Sequence, residues 1–389
     1  MARRGWIGAG FVAVLALGAR GEDGKPLTGE ECLAFARDFA ADIGSGNTDA
    51  VVDRIDWDAL LDRVTAGYDA DDKFVRGFRR GFLSERRKPG NLVPAVIEAV
   101  GKGGSYVLLR VHEKDGTKRA LFRMLHEGGV NYHDCILARA EDGAVRVSDI
   151  HIFLSGETAS ATMRRIFLAA AAEASKGFLE KLLGSESELV KHLPHIQRMA
   201  ARNREGRPAE ALRIYRSLPA AVQREKFVLL LRFQAAQGLS DEEQLAAAAD
   251  MRKHCPGDPC LDLLSLDAVL LRRQYDEALA CVDRLDAAVG GDPYSDLLRG
   301  NIHYMKGDRA AAKSHAAKAI AAEPTLAPAH WTLVQVALDE RDHAETVRLL
   351  LRIEQVLKLE FGDLTAVPEY AEFVKSPEYR EWLGRNAPK

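Results

Sequence analysis

The feature that most constrains this chain is a repeat with a period of 34 residues in its second half: Gly257-Asp258-Pro259 returns as Gly291-Asp292-Pro293. Arg273-Gln274-Tyr275-Asp276-Glu277-Ala278-Leu279 falls one residue out of the same frame from Lys306-Gly307-Asp308-Arg309-Ala310-Ala311-Ala312. A period of this length means that each unit is one supersecondary element, too small to bury its apolar face except against its neighbours. Units taken as 259–292, 293–326 and 327–360 put Gly300 at position 8, Ala278 and Ala312 at 20, Ala319 at 27 and Pro324 at 32. Small residues at these places let two antiparallel helices touch. An irregular alanine-rich bundle has no reason to keep a fixed period.

The spacing resembles the tetratricopeptide repeat. Residues 293–326 match best, with Gly300, Gly307, Ala312, Ala319 and Pro324 at the family's glycine, glycine, alanine, alanine and proline positions. The unit before keeps Tyr275, Ala278 and Leu279 but has Leu266 and Arg273 in place of the glycines. Residues 225–258 keep Pro256, and 192–224 keep Gly206, Ala211 and Tyr215. The last unit has Trp331, yet Val334, Thr346 and Lys358 stand at the small and proline positions. The resemblance implies about five repeats over 191–360, an all-α solenoid whose first helices line a concave groove for a protein or peptide partner. Counted onto that lining are Phe233, Gln237, Asp267, Leu271, Asn301, Tyr304, Met305, Trp331, Gln335 and Asp339, a mixed aromatic and amide set suited to an extended peptide. Apart from Lys226 it lacks the cations of the family's carboxylate-clamp type, so an acidic C-terminal tail is not the expected ligand. Residues 361–389, with Tyr370, Phe373, Tyr379 and Trp382, are expected to cap the exposed end of the stack.

The first half reads differently. From Thr28 to Gly101 the apolar spacing predicts about four helices, one carrying a Phe74, Phe78, Phe82 core stripe with arginines elsewhere on its surface. After Gly103-Gly104 the period becomes two. Tyr106–Glu113 and Lys118–His126 read as strands joined by a tight turn at Asp115-Gly116, and Val130–Ala140 and Val145–Leu154 as a second hairpin turning at Asp142-Gly143. The first pairing is expected to set Val107, Leu109 and Val111 beside Ala120, Phe122 and Met124 on an apolar face, leaving Tyr106, Arg110, His112, Arg119 and Arg123 opposite. The second sets Asp134 against His151 and Ile136 against Asp149, gathering Tyr132, Asp134, Asp149 and His151 on one face. A carboxylate beside an imidazole is how acid–base sites are built, so a small-molecule or hydrolase or isomerase-like pocket is one alternative here. A cross-strand hydrogen bond is the other, and no nucleophile or metal set accompanies the pair. The order of elements over 28–155 resembles cystatin-like or nuclear-transport-factor-like α+β domains, with no motif behind it; such folds host many functions.

Residues 1–21 have a secretory signal layout: Arg3-Arg4, a short apolar core from Trp6 to Leu17, then Gly18-Ala19. Export to the periplasm, cell surface or medium is expected, with cleavage near Gly18 or Ala19 and no permanent membrane span. Five scattered cysteines are not a disulfide framework. Cys255 and Cys260, separated by turn residues, are the one candidate bridge, and their alternative is two free thiols. With 54 basic and 57 acidic residues the formal charge is −3, which gives no drive toward nucleic acid. The whole predicts an α+β domain at 28–155, a connecting helix and linker at 156–190, and the repeats. The expected function is an exported non-catalytic adaptor without cofactor or metal.

Overall fold

The computed structural model describes residues 26–126, 129–174 and 185–386, so the expected signal at 1–21 and the middle of the expected linker lie outside the described residues. The chain forms two compact units. Residues 26–153 and 157–174 belong to the first, and 185–386 with Leu154–Gly156 to the second.

The first unit begins with helices α1 (Gly29–Gly44), α2 (Thr48–Asp53), α3 (Trp57–Val64), α4 (Lys73–Glu85) and α5 (Leu92–Gly101). Thr28 opens α1 with a capping box: its hydroxyl accepts from the Glu31 N–H, and Glu31 accepts from the Thr28 N–H. Asn47, Asp56 and Asp72 cap α2, α3 and α4 through their side-chain oxygens. The spacing from Val51 to Val64 predicts one helix, and the structure has two. The break falls where Arg54 and Asp56 leave helical pairing to bond the backbone of Val147, and a capping aspartate then restarts the helix. On α4, Phe74 and Phe78 pack on Phe167 and Phe82 on Trp57, while Arg79 pairs with Asp58 and Asp62 and Arg87 with Asp49 and Asp53. Those arginines are occupied by acids of the same unit.

An antiparallel sheet follows in simple sequence order: β1 (Ser105–Lys114), β2 (Thr117–His126), β3 (Gly129–Arg139), β4 (Val145–Ile152) and β5 (Glu157–Thr158). Asp115 and Gly116 both have positive φ, which the two-residue turn between right-twisting strands requires. The sheet has five strands where four are expected, because the chain after β4 folds back for two residues before helix α6 (Ala159–Ala174). A bulge between Leu108 and Arg110 also shifts the phase of β1. Tyr106 and Leu108 consequently share the face of Phe122 and Met124, opposite to the expected placement of Tyr106 on the polar face. That face packs on Phe35, Phe39, Val51, Val52, Val93 and Val96 from α1, α2 and α5 to form the core.

The second unit is built from helix pairs: α7 (Ser185–Arg204) with α8 (Pro208–Ser217), then, after the single turn α9 (Ala220–Gln223), α10 (Lys226–Gln237) with α11 (Asp241–His254). Next come α12 (Pro259–Leu271) with α13 (Tyr275–Val289), α14 (Pro293–Lys306) with α15 (Arg309–Ala322), and α16 (Ala327–Asp339) with α17 (His343–Leu357). The recurring Gly-Asp-Pro has a local cause. Gly257 and Gly291 take positive φ, Asp258 and Asp292 accept first-turn N–H bonds as N-caps, and proline opens each helix. Within pairs, Ala278, Ala312 and Ala319 are fully buried. A Cβ on Gly300 would lie 3.3 Å from both the Ala312 carbonyl oxygen and the Ala316 nitrogen, so α14 meets the α15 backbone directly. Gly307 ends α14 in the left-handed conformation, and the Pro324 carbonyl accepts from His330 Nε2. The last pair forms although Val334 and Thr346 replace the small residues; both are buried, and the Thr346 hydroxyl bonds back to the Asp342 carbonyl. Tyr370, Phe373, Tyr379 and Trp382, on two 3-10 turns and α18 (Pro377–Asn386), pack against Leu349, Leu350 and Ile353. Cys255 and Cys260 are unbridged: Cys255 ends α11 and Cys260 is buried in the first turn of α12. The expected fold class, an α+β part followed by an all-α solenoid-like part, is the one adopted.

Gly300→Val is expected to cost about 2 kcal/mol through overpacking against backbone that cannot yield, and Gly307→Ala about 1 kcal/mol through its left-handed φ. Denaturant unfolding followed by circular dichroism at the helical band orders the two.

Candidate functional site

The first helices of consecutive pairs stand side by side, which brings position 9 of one unit next to the start of the following one. Between α14 and α16 this leaves a cavity of about 450 Å³ lined by Asn301, Tyr304, Ala327, Pro328, Trp331, Thr332 and Gln335. Thr332 donates to Asn301 Oδ1 at 2.7 Å, so the Asn301 amide group is turned with its N–H donors away from that bond. Tyr304 donates its hydroxyl to Asp339 Oδ2 at 2.7 Å, and Gln335 and Arg309 donate to the same carboxylate at 3.2 Å. Burial raises the Asp339 carboxyl, but these three bonds outweigh it and hold the group below its ordinary value. Tyr304 is pushed up by burial and by the anion it contacts. Trp331 is 36% exposed and meets Phe361 edge to face at 5.9 Å, so one side of the indole is supported and the other is open. Two aromatic rings, a proline and oriented amides make a surface for a side chain with backbone polar groups beside it.

The other groove positions are placed less uniformly. Gln237 and Asp267 are exposed, and Gln237 donates to the Leu264 carbonyl at 3.2 Å. Leu271 is 86% and Met305 48% exposed. Phe233 is fully buried between α10 and α11, where it serves the core instead of offering a surface. Ala327, Pro328 and Thr332 also line the cavity and are not among the expected groove residues. Ala327 and Pro328 stand one turn before Trp331 at the start of α16, and Thr332 is its immediate neighbour.

In the first unit the strand pairing sets Asp134 against His151 and Ile136 against Asp149. The two carboxylates are committed to different partners. Asp134 takes His112 Nε2 at 2.8 Å and Arg119 at 3.2 Å. Asp149 accepts from the Ile150 and Ser160 N–H groups and from the Ser160 hydroxyl, which ties β4 to the start of α6. Tyr132 is fully buried and His151 stands edge-on to Phe153 at 5.3 Å. Among the described residues no group of His, Cys, Asp or Glu is arranged to hold a metal ion.

A buried polar chain on the core face was not anticipated, because it depends on the β1 bulge. The Asn131 Oδ1 accepts from the Tyr132 N–H, which turns its Nδ2 toward His133 Nε2 at 3.3 Å. His133 therefore carries its proton on Nδ1, 3.2 Å from the Tyr106 hydroxyl, and Tyr106 shares a hydrogen bond with Cys135. Burial, with His126 nearby, pushes the His133 imidazole down to about 4. Burial likewise raises the Tyr106 hydroxyl and the Cys135 thiol, so all three groups are neutral.

No family model and no curated relative matches the sequence. Among solved structures, one titled "Crystal structure of PilW, widely conserved type IV pilus biogenesis factor" is similar at 12% identity and a TM-score of 0.37, covering 49% of this chain and 90% of that one. A likeness of that size carries no argument. No helix among the described residues is long and apolar enough to cross a membrane.

The His133 environment makes a pH prediction. The unfolded chain protonates this imidazole near 6.5 and the folded chain only near 4. Its contribution is fully present above pH 6.5 and is lost as pH falls toward 4, by at most about 3 kcal/mol. Unfolding of the first unit measured from pH 7 to 4 is expected to show that slope, and His133→Gln is expected to flatten it.

Proposed function

We propose that this protein is an exported, non-catalytic adaptor that holds a peptide or protein segment in the groove formed by the first helices of its tetratricopeptide-like pairs. The carrying observation is the cavity between α14 and α16, where the half-exposed Trp331, the Tyr304 ring and the Asn301 and Gln335 amides converge. An extended segment needs an apolar pocket for alternate side chains and amide partners for its backbone, and both are present within one helix spacing. Nucleic acid has no part in this reading, given the net charge of −3 and the pairing of Arg79 and Arg87 with neighbouring acids. The signal layout of residues 1–21 supports action in the periplasm, at the cell surface or outside the cell. Catalysis at Tyr132, Asp134, Asp149 and His151 is disfavoured because both carboxylates are spent on structural bonds.

The test is affinity capture from the exported fraction of the source organism with the mature chain and with Tyr304→Ala/Trp331→Ala, after both baits give the same circular dichroism. A partner held by the first bait and at least about tenfold depleted on the second is expected, as for removal of two aromatic anchors. Capture that ignores the substitutions contradicts the groove. Sequencing the N-terminus of the exported protein is expected to find it just after Gly18 or Ala19.

A further inference from the structure

We infer a second binding site in the helical unit, for a small organic oxyanion, where α12 turns into α13 against α11. The cavity there has a volume of about 770 Å³ and is independent of the groove between α14 and α16. Arg252, Arg272, Arg273, Arg284 and Lys306 line it, against only two carboxylates, Asp276 and Glu277. Glu277 is shared between Arg252 at 3.4 Å and Arg284 at 3.1 Å, Arg284 is paired more closely with Asp262 at 2.8 Å, and Asp276 is held by Lys306 at 2.7 Å. Arg272 finds its partners in Asp241 and Gln244, both at 2.6 Å. Among the described residues the Arg273 side chain makes no hydrogen bond or ion pair, and its backbone is held at φ 56°. Four of the five cations are thus matched by a carboxylate, and Arg273 is the one left without an acid among the described residues.

Two further observations point to a ligand. Ser265 lines the cavity and is 5% exposed, and its hydroxyl has no hydrogen-bond partner among the described residues. A buried hydroxyl without a partner costs about 1–3 kcal/mol, which a ligand oxygen would recover. The first turn of the fifteen-residue α13 also borders the cavity. Its N-cap Gln274 makes no side-chain bond to the helix end, as at the starts of α8, α10 and α16, whereas Asp258, Asp292, Asp308 and Asp342 each close theirs. An uncapped N-terminus leaves N–H groups and a positive dipole end for an anion. The rest of the wall is apolar, with Ala248, Ala268, Val269 and the 58% exposed Leu245. Arginines around an apolar wall select a carboxylate or phosphate carried on a hydrocarbon body, over a bare inorganic ion.

The test is isothermal titration of the full chain at low salt with phenyl phosphate, inorganic phosphate, benzylammonium and the peptide acetyl-Phe-Asp-amide. Phenyl phosphate is expected to bind at least about tenfold more tightly than inorganic phosphate, with no binding of benzylammonium. Binding of the peptide as well identifies an acidic segment as a source of the oxyanion, and its failure identifies a free small molecule. Arg252→Gln/Arg273→Gln is expected to lose about tenfold or more, and Ser265→Ala several-fold, with melting temperatures unchanged. Retention of groove binding by the same variants separates this site from the adaptor reading. Absence of anion binding up to about 5 mM, or wild-type affinity in both variants, overturns the inference.

Discussion

Everything in the helical unit depends on how closely two helices can approach. At Gly300 the backbone of α14 lies against Ala312 and Ala316 of α15, so close that a Cβ, 3.3 Å from both, would need that backbone to give by a few tenths of an ångström. That contact fixes the pair, and the pair fixes where the next one stacks, because each unit has apolar surface that only a neighbour can bury. The groove is a by-product of this stacking. Asn301 and Thr332, 31 residues apart, come within a 2.7 Å hydrogen bond only because α14 and α16 are laid side by side. The end of the stack is closed by aromatic residues rather than by another pair, with Phe373 fully buried and Trp382 3% exposed.

The two units spend their polar groups differently. In the α+β unit, carboxylates close things: Glu31 completes a capping box and holds Arg139, and is drawn down to about 2 mainly by the Thr28 N–H. Asp149 fastens the start of α6, and Asp134 is saturated by His112 and Arg119. The His133 chain is kept neutral by burial, an arrangement that orders a core and has no open side. In the helical unit, by contrast, polar and aromatic groups from two or more helices converge half-exposed on two cavities, while the cavity at Asp72, Phe74 and Phe78 in the α+β unit is lined by the start of one helix. That contrast is why function is assigned to the repeats.

The sequence was most legible where one residue type has one job. Gly257-Asp258-Pro259 and its repeat announce a left-handed glycine, a cap and a first-turn proline, and each does that job. The Asp115-Gly116 turn follows from turn chemistry in the same way, whereas the Asp134 to His151 register does not: Arg139 pairs with Val145 around a three-residue turn, one residue out of the expected pairing, and a bulge after Ile136 restores it. Where tertiary contact decides, sequence reasoning fell short. The β1 bulge inserts one residue without a glycine or proline to mark it, and it carries Tyr106 from the solvent face into the core. The break at Arg54 to Asp56 is set by pairing with Val147, about ninety residues on, and its one local mark is the capping Asp56. Of the positions counted onto the groove, Asn301, Tyr304, Trp331 and Gln335 line one cavity, whereas Phe233 is buried by the packing of α11.

The account rests on the groove between α14 and α16 being the working surface, and site-specific photocrosslinking reads that directly. A photoreactive amino acid placed at Gln335 in the cavity and, as a control, at Arg348, whose side chain is 73% exposed on α17, is irradiated in the intact exporting cell. The account predicts a discrete adduct from position 335 and none from 348. An adduct at 348 alone, or none at 335 while the protein is folded and exported, contradicts it.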